Sequence, residues 1–214
     1  MQDLDPSLSL TDIGDDLAFL HARTAGDPSV AQLAQPLAAL LATADQTAAE
    51  HRQHRRALTL ADAKVAGARQ DLEVAVNAFA KTVLAQAKLD PATALLQAWF
   101  SQAPSAVVGQ GHGLLEQWAA AVATRLTAET QAPLATHAQP LATAAHHLRE
   151  AVTRRRATEE ANRAHRLQVR EPLLAQANGL RRETHRALSD LAVAGGWGKV
   201  WLDSFFRPQS KRKG

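Results

Sequence analysis

"LAQPLAALLATADQTAAEHRQHRRALTLADAKVAGARQDLEVAVNAF", residues 33–79, is the stretch on which the fold turns. Steps of four and three residues through it pick out Leu33, Leu37, Leu40, Ala44, Thr47, His51, His54, Leu58, Ala61, Val65, Ala68, Leu72, Ala75 and Phe79. That is the heptad seam of an α-helix packed along its length, interrupted only by Thr47 and two histidines. A turn inside the stretch would shift the phase, and the lone Gly67 lies off the seam, where a helix tolerates it. The seam predicts one continuous helix reaching residue 89, about 80 Å long at roughly 1.5 Å per residue. The alternative is a turn at "ALTLAD", where Thr59 and Asp62 could form a capping box.

The same pentapeptide, "AQPLA", occurs at 34–38 and again at 138–142. At this 104-residue offset Pro104 falls on Pro208, Leu10 on Leu114 and Val65 on Val169. Each half reads as a short helix, a very long helix and a short aromatic segment, "ALLQAWFSQAP" or "GKVWLDSFFRP". The second long stretch keeps the register through His137, Leu141, Ala144, Leu148, Ala151, Arg155, Thr158, Asn162, His165 and Val169. Apolar residues then restart out of phase at Leu173, Ala177, Leu180, Thr184, Leu188 and Leu191, after Pro172. Proline removes a helical hydrogen bond and clashes with the preceding turn, so a kink or short break is expected there. Gly67 sits one residue from the equivalent of Pro172, which would bend both long helices at one level.

Composition agrees. Hydrophobic residues make up 46% and aromatics 4% of the chain. Alanine and leucine, the strongest helix formers, dominate, and strand formers are sparse. The expectation is all-α: an internally duplicated, elongated helical bundle on two long, kinked helices with short flanking helices. Residues 7–106 form the first repeat, 111–208 the second, and 209–214 a disordered basic tail. Asp27 and Pro28 are read as N-cap and first residue of the first long helix, with "LDP" at 89–91 playing the same part for the aromatic helix. "VVGQGHG" at 107–113 is the joint between repeats.

The chain has no cysteine, which excludes thiolate chemistry and suits a reducing, cytoplasmic setting. It has no run of 18 apolar residues, and a membrane role is not expected. The terminal "GGWGKVWLDSFFRPQSKRKG" has the look of an interfacial anchor, but its shortness and Asp203 argue against one. Charge is uneven. The first sixteen residues hold five aspartates and no base, whereas residues 149–186 hold ten arginines against five glutamates. Such asymmetry points to oriented association or a polyanionic partner, and solvated faces are the plainer reading.

The candidate sites lie on the long helices. His51 and His54, three apart, could chelate a cation, but no third ligand is fixed by spacing. His146, His147 and Glu150 read as a surface cluster, and no metal or other cofactor is expected. The polar part of the seam comprises His51, His54, Arg155, Thr158, Asn162 and His165. In an antiparallel pair of long helices these could meet, either as a ligand-holding centre or as the stretch that the short helices leave uncovered; the second is preferred. Arg149, Arg156, Arg163 and Arg170 repeat every seven residues and form a stripe that, with Lys211, Arg212 and Lys213, could follow the phosphates of nucleic acid or polyphosphate. Its plainer reading is local pairing through Glu150–Arg154, Arg156–Glu160 and Glu159–Arg163. "GQGHG" at 109–113 is no phosphate loop, and no nucleophile, base and orienting group share a short motif. Trp99, Phe100, Trp118, Trp197, Trp201, Phe205 and Phe206 are read as plugs closing the ends of the core. The leading expectation is a non-enzymatic structural or protein-interaction module that self-associates through an uncovered seam. The alternative is a polyanion-binding protein.

Overall fold

The computed structural model describes residues 3–87 and 94–207. Every regular element among them is helical. Helix α1 is Leu10–Ala25, and a three-residue 3-10 turn, Ala31–Leu33, leads into α2, Ala34–Gln86, a single helix of 53 residues. After α3 (Ala94–Trp99) and α4 (Pro104–Val108) come α5 (His112–Leu126), the single turn α6 (Ala132–Ala135) and α7 (Ala138–His165). A π-helical turn, Arg166–Arg170, joins α7 to α8, Glu171–Gly195, and α9 is Lys199–Asp203.

The turn considered at "ALTLAD" is not formed: α2 passes through it unbroken. Both "AQPLA" copies open a long helix at their first alanine. Pro36 and Pro140 therefore sit in the first turn, where the backbone N–H has no helical partner to lose. Asp27 does not cap α2. Its carboxylate accepts from the Ser29 amide at 3.0 Å and the Ser29 hydroxyl at 2.6 Å, shaping the loop before the 3-10 turn. A capping box instead opens α1, with Ser9 and Asp12 exchanging hydrogen bonds. Nor does the chain break at Pro172. Proline offers no N–H to the Gln168 carbonyl, and the helix accommodates this by widening into the π turn just ahead of it. The "LDP" turn at 89–91 and the tail from 208 onward lie outside the described residues.

The chain divides into two compact units, each drawing on both halves of the sequence. The first takes residues up to Arg55 and those from Ala161; the second is Arg56–Glu160. In the first, Ile13, Leu17 and Leu20 of α1 pack with Leu37, Leu40 and Ala44 of α2, Leu173, Ala177 and Leu188 of α8, and Phe205. In the second, Leu115, Ala119, Val122 and Leu126 of α5 pack with Leu72, Val76, Phe79 and Val83 of α2 and Leu141, Ala144 and Leu148 of α7. The aromatics divide between the units. Phe79 meets Trp99 edge-on and stacks with Phe100, which meets Trp118, in the second unit; Trp197, Trp201 and Phe205 pack in series in the first. Each leucine, isoleucine, valine or phenylalanine side chain so buried contributes about 1.5–3 kcal/mol.

One detail of the seam is corrected by the structure. Beyond the π turn the buried positions are Leu173, Leu174, Ala177, Arg181, Thr184, Leu188 and Ala192, so the inward face carries Arg181 where the periodicity of the sequence placed Leu180.

Candidate functional site: a histidine layer and an open helix pair

In the first unit, His51 and His54, three apart on α2, meet His165 of α7, which shares its helix face with Asn162 three residues before it. The His54 and His165 rings stack with centroids 4.4 Å apart and planes 28° from parallel; His51 lies 6.3 Å from His165 at 12°. His51 Nδ1, Asn162 Oδ1 and His165 Nε2 are buried and make no protein hydrogen bond. Polar atoms left so typically cost about 1–3 kcal/mol each. Burial pushes the His51 imidazole below its usual range, and His165, Arg55, Arg166 and His54 push it the same way. Stacked rings direct their nitrogens along parallel planes rather than toward one point. Among the described residues no group of three histidines or carboxylates is arranged to hold a metal ion.

Arg155 and Thr158, the other members of the polar seam, belong to the second unit. Arg155 donates to Asp62 Oδ1 and to Glu159 Oε2, each at 2.7 Å, and these contacts raise its pKa, the Asp62 bond most. The Thr158 hydroxyl turns back to the Arg154 carbonyl at 2.9 Å. The ten-arginine segment and the aspartate-rich head are also placed. Arg181 forms a buried ion pair with Asp16 and lies 5.5 Å from the Phe206 ring centroid. Arg182 pairs with Asp3 at 2.6 Å, and Arg207 with Asp15 at 3.5 Å. Much of the charge asymmetry is therefore satisfied inside the first unit.

The heptad arginines separate in the same way. Arg149 binds the buried carboxylate of Glu116 through two nitrogens. Arg170 donates to the carbonyls of Pro6 and Leu8, fastening the N-terminal segment to the π turn. Arg156 and Arg163 are exposed and make no ion pair among the described residues. Of the local pairs expected, Glu150–Arg154 forms at 3.4 Å, whereas Glu159 is taken by Arg155 and leaves Arg163 without it. Lys211, Arg212 and Lys213 lie outside the described residues.

No family model, curated protein or solved structure matches this chain. Its site is therefore defined by its own residues. The second unit offers one in a groove of about 830 Å³ running along α2 and α7. Ala57, Leu60, Gly67 and Ala68 form one wall and Ala151 and Ala157 the other. Lys64, Asp71, Glu150 and Arg154 add two positive and two negative charges. Asp62 pairs with Arg155, and Thr82 with His137 at 2.8 Å, so the helices bounding the groove run antiparallel. Sequence reasoning missed the groove and the Asp16–Arg181 pair. The groove was visible as a second set of heptad positions beside the seam; the ion pair was visible only as Asp16 and Arg181 falling on apolar faces.

Proposed function

We propose that this protein is a non-enzymatic, cytoplasmic helical scaffold that works by associating with a protein through the open face of its second unit. The groove between α2 and α7 carries this reading: alanine, glycine and leucine line it alongside Lys64, Asp71, Glu150 and Arg154, and Leu60 within it is 64% exposed. Large exposed apolar side chains in a concave, apolar-lined setting mark interaction surfaces. The polar pairings support a non-catalytic role. Ser189 lies 3.5 Å from His185 Nδ1, but its hydroxyl donates to the His185 carbonyl at 2.8 Å. Thr82 contacts the His137 ring, whose basicity burial lowers. Among the described residues, no helix is long and apolar enough to cross a membrane.

We read the scaffold as a tandem duplication that pairs its long helices as an antiparallel coiled coil. Buried positions support this. Ile13, Leu17 and Leu20 correspond, 102 residues on, to Leu115, Ala119 and Val122. Val30 and Leu37 correspond, 104 on, to Leu134 and Leu141. Leu72, Val83 and Phe100 correspond, 105 on, to Ala177, Leu188 and Phe205. The step from 104 to 105 spans the π turn, whose wider loop holds one additional residue without rotating the helix beyond it.

A photo-crosslinking amino acid at position 60, in the native host, tests the association reading. A discrete crosslinked protein product is expected; no product at position 60, with the protein folded and expressed, overturns it. The exposed Arg156 and Arg163 favour a second reading, polyanion binding. Retention on heparin that is lost in moderate salt and on Arg156→Glu/Arg163→Glu would support that instead.

A further inference from the structure

We propose that the occupant of the open face is a second copy of this chain, laid antiparallel across a twofold axis at Gly67. This rests on the association reading and names its partner. The outward strip of α2 in the second unit is Ala57, Leu60, Lys64, Gly67, Asp71, Val74 and Ala78, with spacings of three and four throughout, and every one of these residues is exposed. It is a second heptad seam with nothing packed on it in the chain's own fold. Leu60 and Val74, each seven residues from Gly67, are 64% and 63% exposed.

The strip reads as its own complement. A twofold interface brings each residue i onto j and j onto i. With the axis at Gly67, Leu60 lies beside the copy's Val74, Lys64 beside its Asp71, and Ala57 beside its Ala78. Lys64 and Asp71 make no ion pair among the described residues, so both remain available. Glu150 and Arg154 on the other wall add a second opposite-signed pair, bridged at 3.4 Å within the chain. A polyanion would meet two acids for two bases in this groove, whereas a copy of the chain meets its complement.

Gly67 gains a reason in this arrangement. A Cβ built on it would meet nothing within 4 Å, so the chain's own packing does not call for glycine. Glycine within a helix costs about 1 kcal/mol relative to alanine. On the axis, two facing glycines let the helices approach closely.

Charge reversal tests both the contact and its direction. Lys64→Asp leaves an all-acidic strip and Asp71→Lys an all-basic one, so each variant alone should self-associate about tenfold more weakly or worse by native mass spectrometry. An equimolar mixture of the two should form a heterodimer, and K64D/D71K should recover the wild-type dimer. All these positions are on the helix surface, and far-UV circular dichroism checks that the fold is kept. The chain has no cysteine, so single cysteines report orientation: Gly67→Cys should oxidise to a disulfide-linked dimer, and Leu60→Cys should crosslink to Val74→Cys rather than to itself. A monomeric wild type, reversals without effect, or Leu60→Cys self-crosslinking as readily as Gly67→Cys would overturn the proposal. If the dimer fails while position 60 crosslinks to a different polypeptide in the host, association stands and self-association falls. If both fail, so does the association reading.

Discussion

The two units apply one seam to different ends. Where the first unit stacks His51 and His54 of α2 with His165, beside Asn162 in sequence register, the positions 104 residues away in the second are Arg155, Thr158, Ala61 and Leu58. Where the first buries the Asp16–Arg181 ion pair, the corresponding residues of the second, 102 on and 105 back, are Trp118 and Val76. Asp16, Thr24, Thr47, Arg181 and Thr184 are buried in the first unit, and Glu116 in the second. A polar core specifies one partner arrangement at a cost in stability, while an apolar core needs no such matching. The first unit is thereby committed to its own contacts. The second closes an apolar core on one side of its long helices and presents a complementary strip on the other.

The largest expected effect comes from breaking the buried ion pair. Arg181→Met alone should destabilise the protein by about 3–5 kcal/mol, because it strands the Asp16 carboxylate in the core. Converting the pair together, with Asp16→Leu and Arg181→Met, should restore stability to within about 1–2 kcal/mol of wild type or exceed it. Urea denaturation followed by tryptophan fluorescence measures both. If the single and double variants lose the same amount, the contrast between a paired and an apolar core is wrong.

A smaller effect distinguishes the long helices. Deleting Gln168 together with Pro172→Ala, which removes the clash that the π turn relieves, should convert the turn to α-helix and leave the packing on either side in phase, lowering the melting temperature by only a few degrees. Deleting Ala63 from the uninterrupted α2 rotates every later residue by about 100° and should unfold the second unit. Equal damage from the two deletions would remove the one-residue account of the π turn.

The smallest concerns pH. Burial lowers the His51 pKa in the folded state, so the unfolded chain binds the proton more tightly. Its contribution is present above the unfolded value, about 6.5, and is lost as pH falls through the depressed folded value. His137 and His185 are also lowered, by burial first in each case, and act in the same direction. Melting temperature should therefore drop between pH 7.5 and pH 5, and His51→Leu should reduce the drop without abolishing it. A pH-independent wild type would contradict the burial of the His51 imidazole.

Much of this architecture was legible in the residues. The alternating steps through 33–79 give α2 directly, and the two "AQPLA" segments mark where both long helices begin. The exchange of helix ends between units was not legible, because spacing along one helix does not say which distant helix faces it. Arg181 was missed for a related reason: periodicity is read from apolar residues, and within α8 the neighbouring Leu180, itself packed against the core, was counted in its place. The arginine repeat was legible as a stripe, yet the engagement of Arg149 with Glu116 and of Arg170 with the Pro6 and Leu8 carbonyls depends on elements far away in sequence. The histidine layer was half visible, since His51 and His54 announce themselves while their meeting with His165 needs the antiparallel register.

The claim that the second unit's open face exists to meet its own copy is tested most directly by sedimentation equilibrium of the wild-type chain. The account predicts a species of twice the 22.9 kDa chain mass that reverts to the monomer on Lys64→Asp. A wild-type monomer at every concentration accessible to the measurement would contradict it.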